Sequence, residues 1–424
     1  MDTLLAALLD DPARGRRRSL GGLAVAGVLA CSLWVATQPE PTTPSPCAGM
    51  DAKLHGIWDA DVQRELEAAI LATEQTDARG TSERVAASLD AYAESWVAAR
   101  TDACRSSESD EQSTMLLDLR MECLDERLIH LHATVDELLA VDATALPHAE
   151  LAVLNLPRLE RCSDIAALTA RHAPPDDPHA AAKAIELDER LIRASVKLEL
   201  GRYDEALREV DRVMVEADAL AHVPVVVRAR LLHGRLLNQL GDYENAIAQL
   251  EDVYFLALGE NMDDEAAFAS AFLLGIYGGN LARRDAAEQW ARHAEASARA
   301  APSDEARAVY YEQAGMIAVA ASDHARAGML LDEDADETLQ AADDGPVQHD
   351  RVAAAGILGH VFAAQALRRV EVDLHRAALP GAADRVLQRV FDLRAVEGAV
   401  ARGDLELAAA AAQAFHQRVL GLVQ

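Results

Sequence analysis

The sequence predicts an all-α protein. It has one membrane-spanning helix near the N-terminus, a small helical subdomain carrying disulfides, and a solenoid of helical hairpins. Three observations carry this reading. Apolar residues make up 50 % of the 424 but aromatic residues only 4 %, so the core is built from Ala and Leu, which suits closely packed helices better than a sheet sandwich. Apolar positions recur at spacings of three and four, the period of an amphipathic helix, and no stretch alternates as a strand would. A short signature returns at nearly constant intervals through the second half of the chain.

Charge narrows the function classes. The formal net charge is −30. In the first 37 residues Arg14, Arg16, Arg17 and Arg18 outnumber Asp2, Asp10 and Asp11, giving +1 and leaving −31 for the rest. A body that acidic repels nucleic acid and anionic lipid at long range, so no nucleic-acid partner is expected.

Residues 1–18 read as a short basic cytoplasmic tail. Residues 19–37, SLGGLAVAGVLACSLWVAT, hold no charge, and a run of about 18–20 such residues spans the hydrocarbon core as a helix. Arg16 to Arg18 precede it directly, so the positive-inside rule places everything after it outside. Cys31 ends a loose lipoprotein-type sequence, Val28-Leu29-Ala30-Cys31. Lipidation there, ordinary cleavage and a retained anchor are therefore alternatives, and all three export the body. The retained anchor is favoured because the apolar run continues past the cysteine. Residues 38–46 carry four prolines in nine positions and form an extended stalk. The expected location is a bacterial inner membrane, single-pass, with the C-terminal body in the periplasm.

Residues 47–175 are expected to be a cysteine-containing helical subdomain, with helices over about 51–74, 81–104 and 111–142. Thr81-Ser82-Glu83 is the expected start of the second helix. Cys47, Cys104, Cys123 and Cys162 form an even set, which reads as disulfides in an exported chain. The favoured pairing is Cys104–Cys123 across one helix-loop-helix turn and Cys47–Cys162 closing the subdomain; a structural zinc site is the alternative. Trp58 and Trp96 read as core residues. His130 and His132 point about 200° apart on a helix, which argues against a shared metal. Asp332–Glu337 lacks the glycine and ligand spacing of a calcium loop. No cofactor is expected.

Residues 180–335 carry the repeats. Leu200-Gly201-Arg-Tyr203-Asp-Glu-Ala206 returns as Leu240-Gly241-Asp-Tyr243-Glu-Asn-Ala246, and degraded copies end at Ala287 and Ala327. Twelve residues upstream of these alanines stand Ala194, Gly234, Gly275 and Gly315. Two small positions keeping one register mark a helix-turn-helix unit in which a small residue on the first helix meets an alanine on the second. The pattern resembles tetratricopeptide repeats, with a period near 40 rather than the usual length of about 34. Such units stack into a curved solenoid with a concave face. On that template Arg228, Leu231, Arg235, Asn238, Phe272, Ile276, Asn280, Glu312 and Met316 face the groove. Arg228, Arg235, Asn238 and Asn280 are the candidates for holding a peptide carboxylate, against the plainer alternative that the arginines pair with neighbouring acids. Residues 336–424 read as degenerate repeats or a C-terminal cap.

One further likeness rests on Cys47-Ala-Gly, Leu54-His-Gly-Ile-Trp58-Asp59, Leu89-Asp-Ala-Tyr92, Trp96, Ala103-Cys104, Arg120-Met-Glu-Cys123-Leu124, Arg127 and Cys162-Ser-Asp164. This pattern resembles the segment between membrane helix and tetratricopeptide repeats in membrane-spanning, myxobacteria-type serine/threonine protein kinases. The catalytic motifs of that family are missing from this chain: there is no glycine-rich loop after a strand, no Val-Ala-Ile-Lys, no His-Arg-Asp and no Asp-Phe-Gly. The resemblance therefore implies a non-enzymatic sensor or scaffold half that binds proteins or peptides, alone, as a homo-oligomer or with a kinase partner. Two alternatives are the regulatory part of an active kinase whose start lies further upstream, and an envelope assembly scaffold.

Overall fold

Whether these residues form hairpins depends on how each helix starts and stops. A computed structural model describes residues 47–108, 113–169 and 172–320. The expected basic tail, the expected membrane span 19–37 with Cys31, the expected stalk, Ala327, the acidic run 332–337 and residues 336–424 lie outside the described residues. The chain divides into units at Met50/Asp51, and the helices below belong to the unit that begins at Asp51. Among the described residues the protein is all-helical, with twelve α-helices and no strand. None of these helices is long and apolar enough to cross a membrane.

The first group is a bundle of α1 (Ala60–Leu71), α2 (Ala78–Glu108) and α3 (Thr114–Leu139), followed by the short α4 (Ala149–Leu154) and α5 (Ile165–Thr169). Asp59 caps α1, accepting from the Asp61 and Val62 N–H groups at 2.9 and 3.1 Å. Ser113 caps α3 through the Leu116 N–H at 3.2 Å. Helix α2 starts one turn before the expected Thr81, whose N–H already donates to the Asp77 carbonyl at 2.9 Å. Thr81 and Ser82 are buried inside the helix, and Asp77 stands at its positive end, paired with Arg84 at 2.7 Å. Trp58 and Trp96 are both core residues. Trp96 satisfies its indole N–H on the Leu124 carbonyl at 2.7 Å, and Trp58 on Asp90 at 2.8 Å.

The second group is a run of helical hairpins. Helix α6 (Pro178–Glu199) pairs with α7 (Tyr203–Leu220), and α8 (Val223–Gln239) with α9 (Tyr243–Gly259). Helix α10 (Asp263–Leu274) runs on as a π-helical turn, Gly275–Asn280, and pairs with α11 (Arg284–Ala300). Helix α12 (Asp304–Ala320) begins the next unit. The leading helices α6, α8, α10 and α12 also pack one on the next. Each hairpin turns on one residue in the left-handed region: Gly201 (φ 76°), Gly241 (φ 79°) and Ala282 (φ 50°). Ala221 and Asn261 do the same at two of the return turns, at φ 55° and 57°. Tyr203 and Tyr243 open the second helices, and Ala206, Ala246 and Ala287 are buried against the first.

The small positions hold this packing in two different ways. A Cβ on Gly234 would lie 2.8 Å from both Cγ and Cδ2 of Leu250 on α9, so the two helices of that hairpin touch at a glycine. Gly275 does not repeat this role. A Cβ there would meet the Gln313 side chain on α12, the next leading helix. It is Gly278 whose Cβ would approach Ala287 of α11, at 3.3 Å. The physical reason is one extra residue. The stretch from α8's start to its turn glycine is Val223 to Gly241, and the matching stretch, Asp263 to Ala282, is one residue longer. The π turn absorbs that residue and rotates the chain after Leu274. Gly315 is buried within α12.

Two outcomes follow. Gly234→Ala destabilises by about 1–3 kcal/mol, because the branch point of a buried leucine must move. Gly275→Ala is neutral or slightly stabilising, because only the end of a flexible side chain gives way and Ala favours the helix by about 1 kcal/mol. Paired chemical denaturation curves distinguish them. Ala282→Gly relieves a left-handed alanine and raises stability by about 0.5–1 kcal/mol, read as a higher melting temperature.

Candidate functional site

The candidate site is the shared face of the leading helices, and it is built from rungs that cross from one hairpin to the next. In the first rung Arg228 on α8 donates Nε and Nη2 to the two oxygens of Asp188 on α6, at 3.1 and 2.7 Å. This forked geometry is the strong form of the pair. In the second, Arg235 donates to Glu199 at 3.0 Å, and its guanidinium lies 5.1 Å from the ring centre of Phe272 on α10. Glu199 also accepts from Asn155 of the bundle at 2.8 Å. In the third, the Asn280 amide donates to the Asn238 side-chain oxygen at 2.8 Å. The four candidate residues thus come together on one face, and the arginines are paired with acids of the preceding hairpin.

Electrostatics around Arg228 follow from this crowding. Burial works against its charge, yet Asp188, with Glu265 and Glu126 further off, holds its pKa above the ordinary value. Its side chain as a whole is still 41 % exposed, and Asp188 engages two of its five donors. Burial pushes the Glu265 carboxyl up, against the pull of Arg228. Burial, then the charge of Arg228, pushes His222 down. These groups come from α3, α6, α8, α10 and the turn before α8, so the bundle and the hairpins contribute to one electrostatic neighbourhood.

Other residues placed on this face by template divide. Leu231, Phe272, Glu312 and Met316 are partly exposed. Ile276 is fully buried in the hairpin core, because the π turn carries it inward. The sequence reasoning missed Asp188 and Glu199. Their signal was available: they precede Arg228 and Arg235 by 40 and 36 residues, close to one repeat.

The cysteines pair differently from the favoured expectation. Cys123 bonds to Cys162, with Cα atoms 5.5 Å apart, so neither Cys104–Cys123 nor Cys47–Cys162 forms. Cys47 and Cys104 are disulfide-bonded as well. The Cys104 to Cys123 turn was an attractive pairing by sequence distance alone. Packing allows the observed bond: Cys123 and Cys162 share one buried cluster with Leu159 and Leu168, and Arg120 of α3 donates to the Cys162 carbonyl, which brings Cys162 alongside. Among the described residues no His, Cys, Asp and Glu group is arranged to hold a metal. His132 pairs with Asp136 at 3.5 Å on its own helix.

Comparison with family models, with curated proteins and with solved structures gives no match.

His130 provides a pH test of the bundle. Burial lowers its pKa from 6.5 to about 4; Glu126 opposes the shift and Arg127 adds to it. Between those values the unfolded chain binds the proton and the folded chain does not, so stability falls as pH drops through that window. His130→Gln removes this contribution. Denaturation midpoints followed from pH 7 down to about 4 decline less in the variant than in the parent.

Proposed function

We propose that this chain is a membrane-anchored, non-catalytic binding protein built on tetratricopeptide-type repeats. Its leading-helix face takes a segment of a partner protein that carries carboxylate groups. The carrying observation is the row of rungs at Asp188–Arg228, Glu199–Arg235–Phe272 and Asn238–Asn280. It presents two arginines, one of them forked onto its acid, an aromatic ring and two amides along one face. A guanidinium has five donors, and Asp188 engages two of those on Arg228. An incoming carboxylate can use the others without displacing the existing partner. Aromatic and amide groups beside them suit an extended peptide.

The cystines favour an oxidising compartment, in line with residues 19–37 acting as the anchor and the body lying in the periplasm. By its likeness to the receptor kinases, the protein would be the extracytoplasmic sensor or scaffold half of such a system. It would report on a partner rather than act on a substrate, alone, as an oligomer or beside a kinase.

Site-specific photocrosslinking in native envelopes tests this. A benzophenone residue at Leu231, between the two arginines, captures one discrete protein. The same probe at Val215, 71 % exposed on α7, does not. Arg228→Glu with Arg235→Glu abolishes capture at Leu231. Capture that is equal at both positions, or that survives the charge reversal, refutes the reading.

A further inference from the structure

The segment after α4 joins parts of the protein that are far apart in sequence. Residues 156–169 run along the bundle and are held to it at several points. Tyr92 donates to the Pro157 carbonyl at 2.9 Å, and Arg127 to the Arg158 carbonyl at 3.2 Å. The Cys123–Cys162 disulfide adds a covalent anchor. Arg120, buried beneath, donates to the Cys162 carbonyl at 3.3 Å and to the Ser163 hydroxyl at 3.2 Å.

From this anchored segment Arg161 reaches out to the hairpins. It donates to Asp264 at the start of α10 at 3.0 Å and to Glu305 at the start of α12 at 3.5 Å. Asp264 has a second role: its other oxygen accepts the Ser303 N–H at 2.9 Å, and the Ser303 hydroxyl in turn accepts from the Ala306 N–H at 3.1 Å, capping α12. One arginine therefore holds two successive leading helices at their N-terminal ends, where acidic groups are favoured by the helix dipoles. Slightly further on, a His172 ring nitrogen lies 2.9 Å from the Glu260 carbonyl, in the turn between α9 and α10.

The same bundle also grips the first hairpin. Glu137 on α3 accepts from Lys197 at 2.7 Å and from Arg202 at 2.9 Å, and Asp136 pairs with Arg193 at 3.1 Å. A stack of hairpins, each touching only its neighbours, is soft to bending, because small changes add from unit to unit. Here one body grips the first hairpin through Glu137 and the third and fourth units through Arg161.

We propose that Arg161, anchored by the adjacent Cys123–Cys162 disulfide, is a clasp that braces the hairpin stack against the bundle and fixes its curvature. Releasing it frees α10 and α12 to move relative to α6. The device stands on these contacts alone and does not depend on what the leading-helix face binds.

Hydrogen exchange measured by mass spectrometry on the full chain in detergent tests it. Arg161→Met keeps the packing of the stem and removes the fork. Exchange then rises about tenfold at the first turns of α10 and α12, for a part-buried pair held at two points, while α7 is unchanged. Arg161→Lys, which keeps a charged donor at this position, loses less protection at α10 than Arg161→Met. Glu305→Gln, which leaves residues 156–169 untouched, raises exchange at α12 by about threefold. If Arg161→Met changes only residues 156–169, or changes nothing, Arg161 is a local surface pair and the clasp is overturned. If that variant folds poorly, Glu305→Gln decides the matter alone: an unaltered α12 is equally fatal.

Discussion

Everything in the hairpin region depends on single residues held in the left-handed backbone region. A helix can fold back on itself within three residues only if one of them reverses the direction of the chain, and for an L-residue with a Cβ that conformation is costly. Gly201 and Gly241 meet the requirement without strain, whereas Ala282 meets it with a side chain in place. Once the turn is made, the two helices lie close enough for Gly234 to touch Leu250. The alanines at 206 and 246 are then buried by the same approach. The spacing of signature residues, the depth of the core and the alignment of the leading helices all follow from where these reversals fall.

Much of this was legible before any coordinates. The turn glycines, the tyrosines that open the second helices and the buried alanines can be read from their register, because local chemistry alone dictates them. The second and third helices of the bundle were visible in their apolar stripes. The helix expected over 51–74 is instead a 3-10 turn, Met50–Leu54, and a separate α1 from Ala60, because Asp59 caps a new start, and the start expected at Thr81 falls a turn late. What could not be read was the choice among equivalent partners. Three cysteine pairings satisfy the same chain, and the tertiary placement of Cys162 against α3 selects one of them. The template placed Arg228 and Arg235 on a common face but did not identify Asp188 and Glu199 opposite them. That information lies in the relative rotation of two helices, which no single periodicity encodes. Ile276 was misplaced for a related reason: a template with a constant repeat has no provision for a π turn.

The acidity of the body has a structural side as well as a repulsive one. With 70 acids against 40 bases in the whole chain, a cation on a helix surface is seldom far from a carboxylate. Arg190 shows the result: Glu209 and Glu216 on α7 approach it at 2.6 and 2.7 Å. Such surface pairs add little each to stability. Their larger effect is on register, since a helix rotated away from its place leaves several acids facing one another. Forked pairs such as Arg228–Asp188 and the shared acceptor Glu137 orient neighbouring helices in the same way.

The π turn at Gly275–Asn280 has a consequence for how such a chain can change over generations. An added residue in a continuous helix would ordinarily rotate every later position by about 100° and turn a buried face outward. Here the disturbance is confined to six residues, and α11 re-enters register with its alanine in place. Hairpins on either side can therefore keep their contacts while a length change is tolerated between them. A stack assembled from copies of one unit can drift apart in length and surface chemistry, unit by unit, without ever passing through an unfolded ancestor.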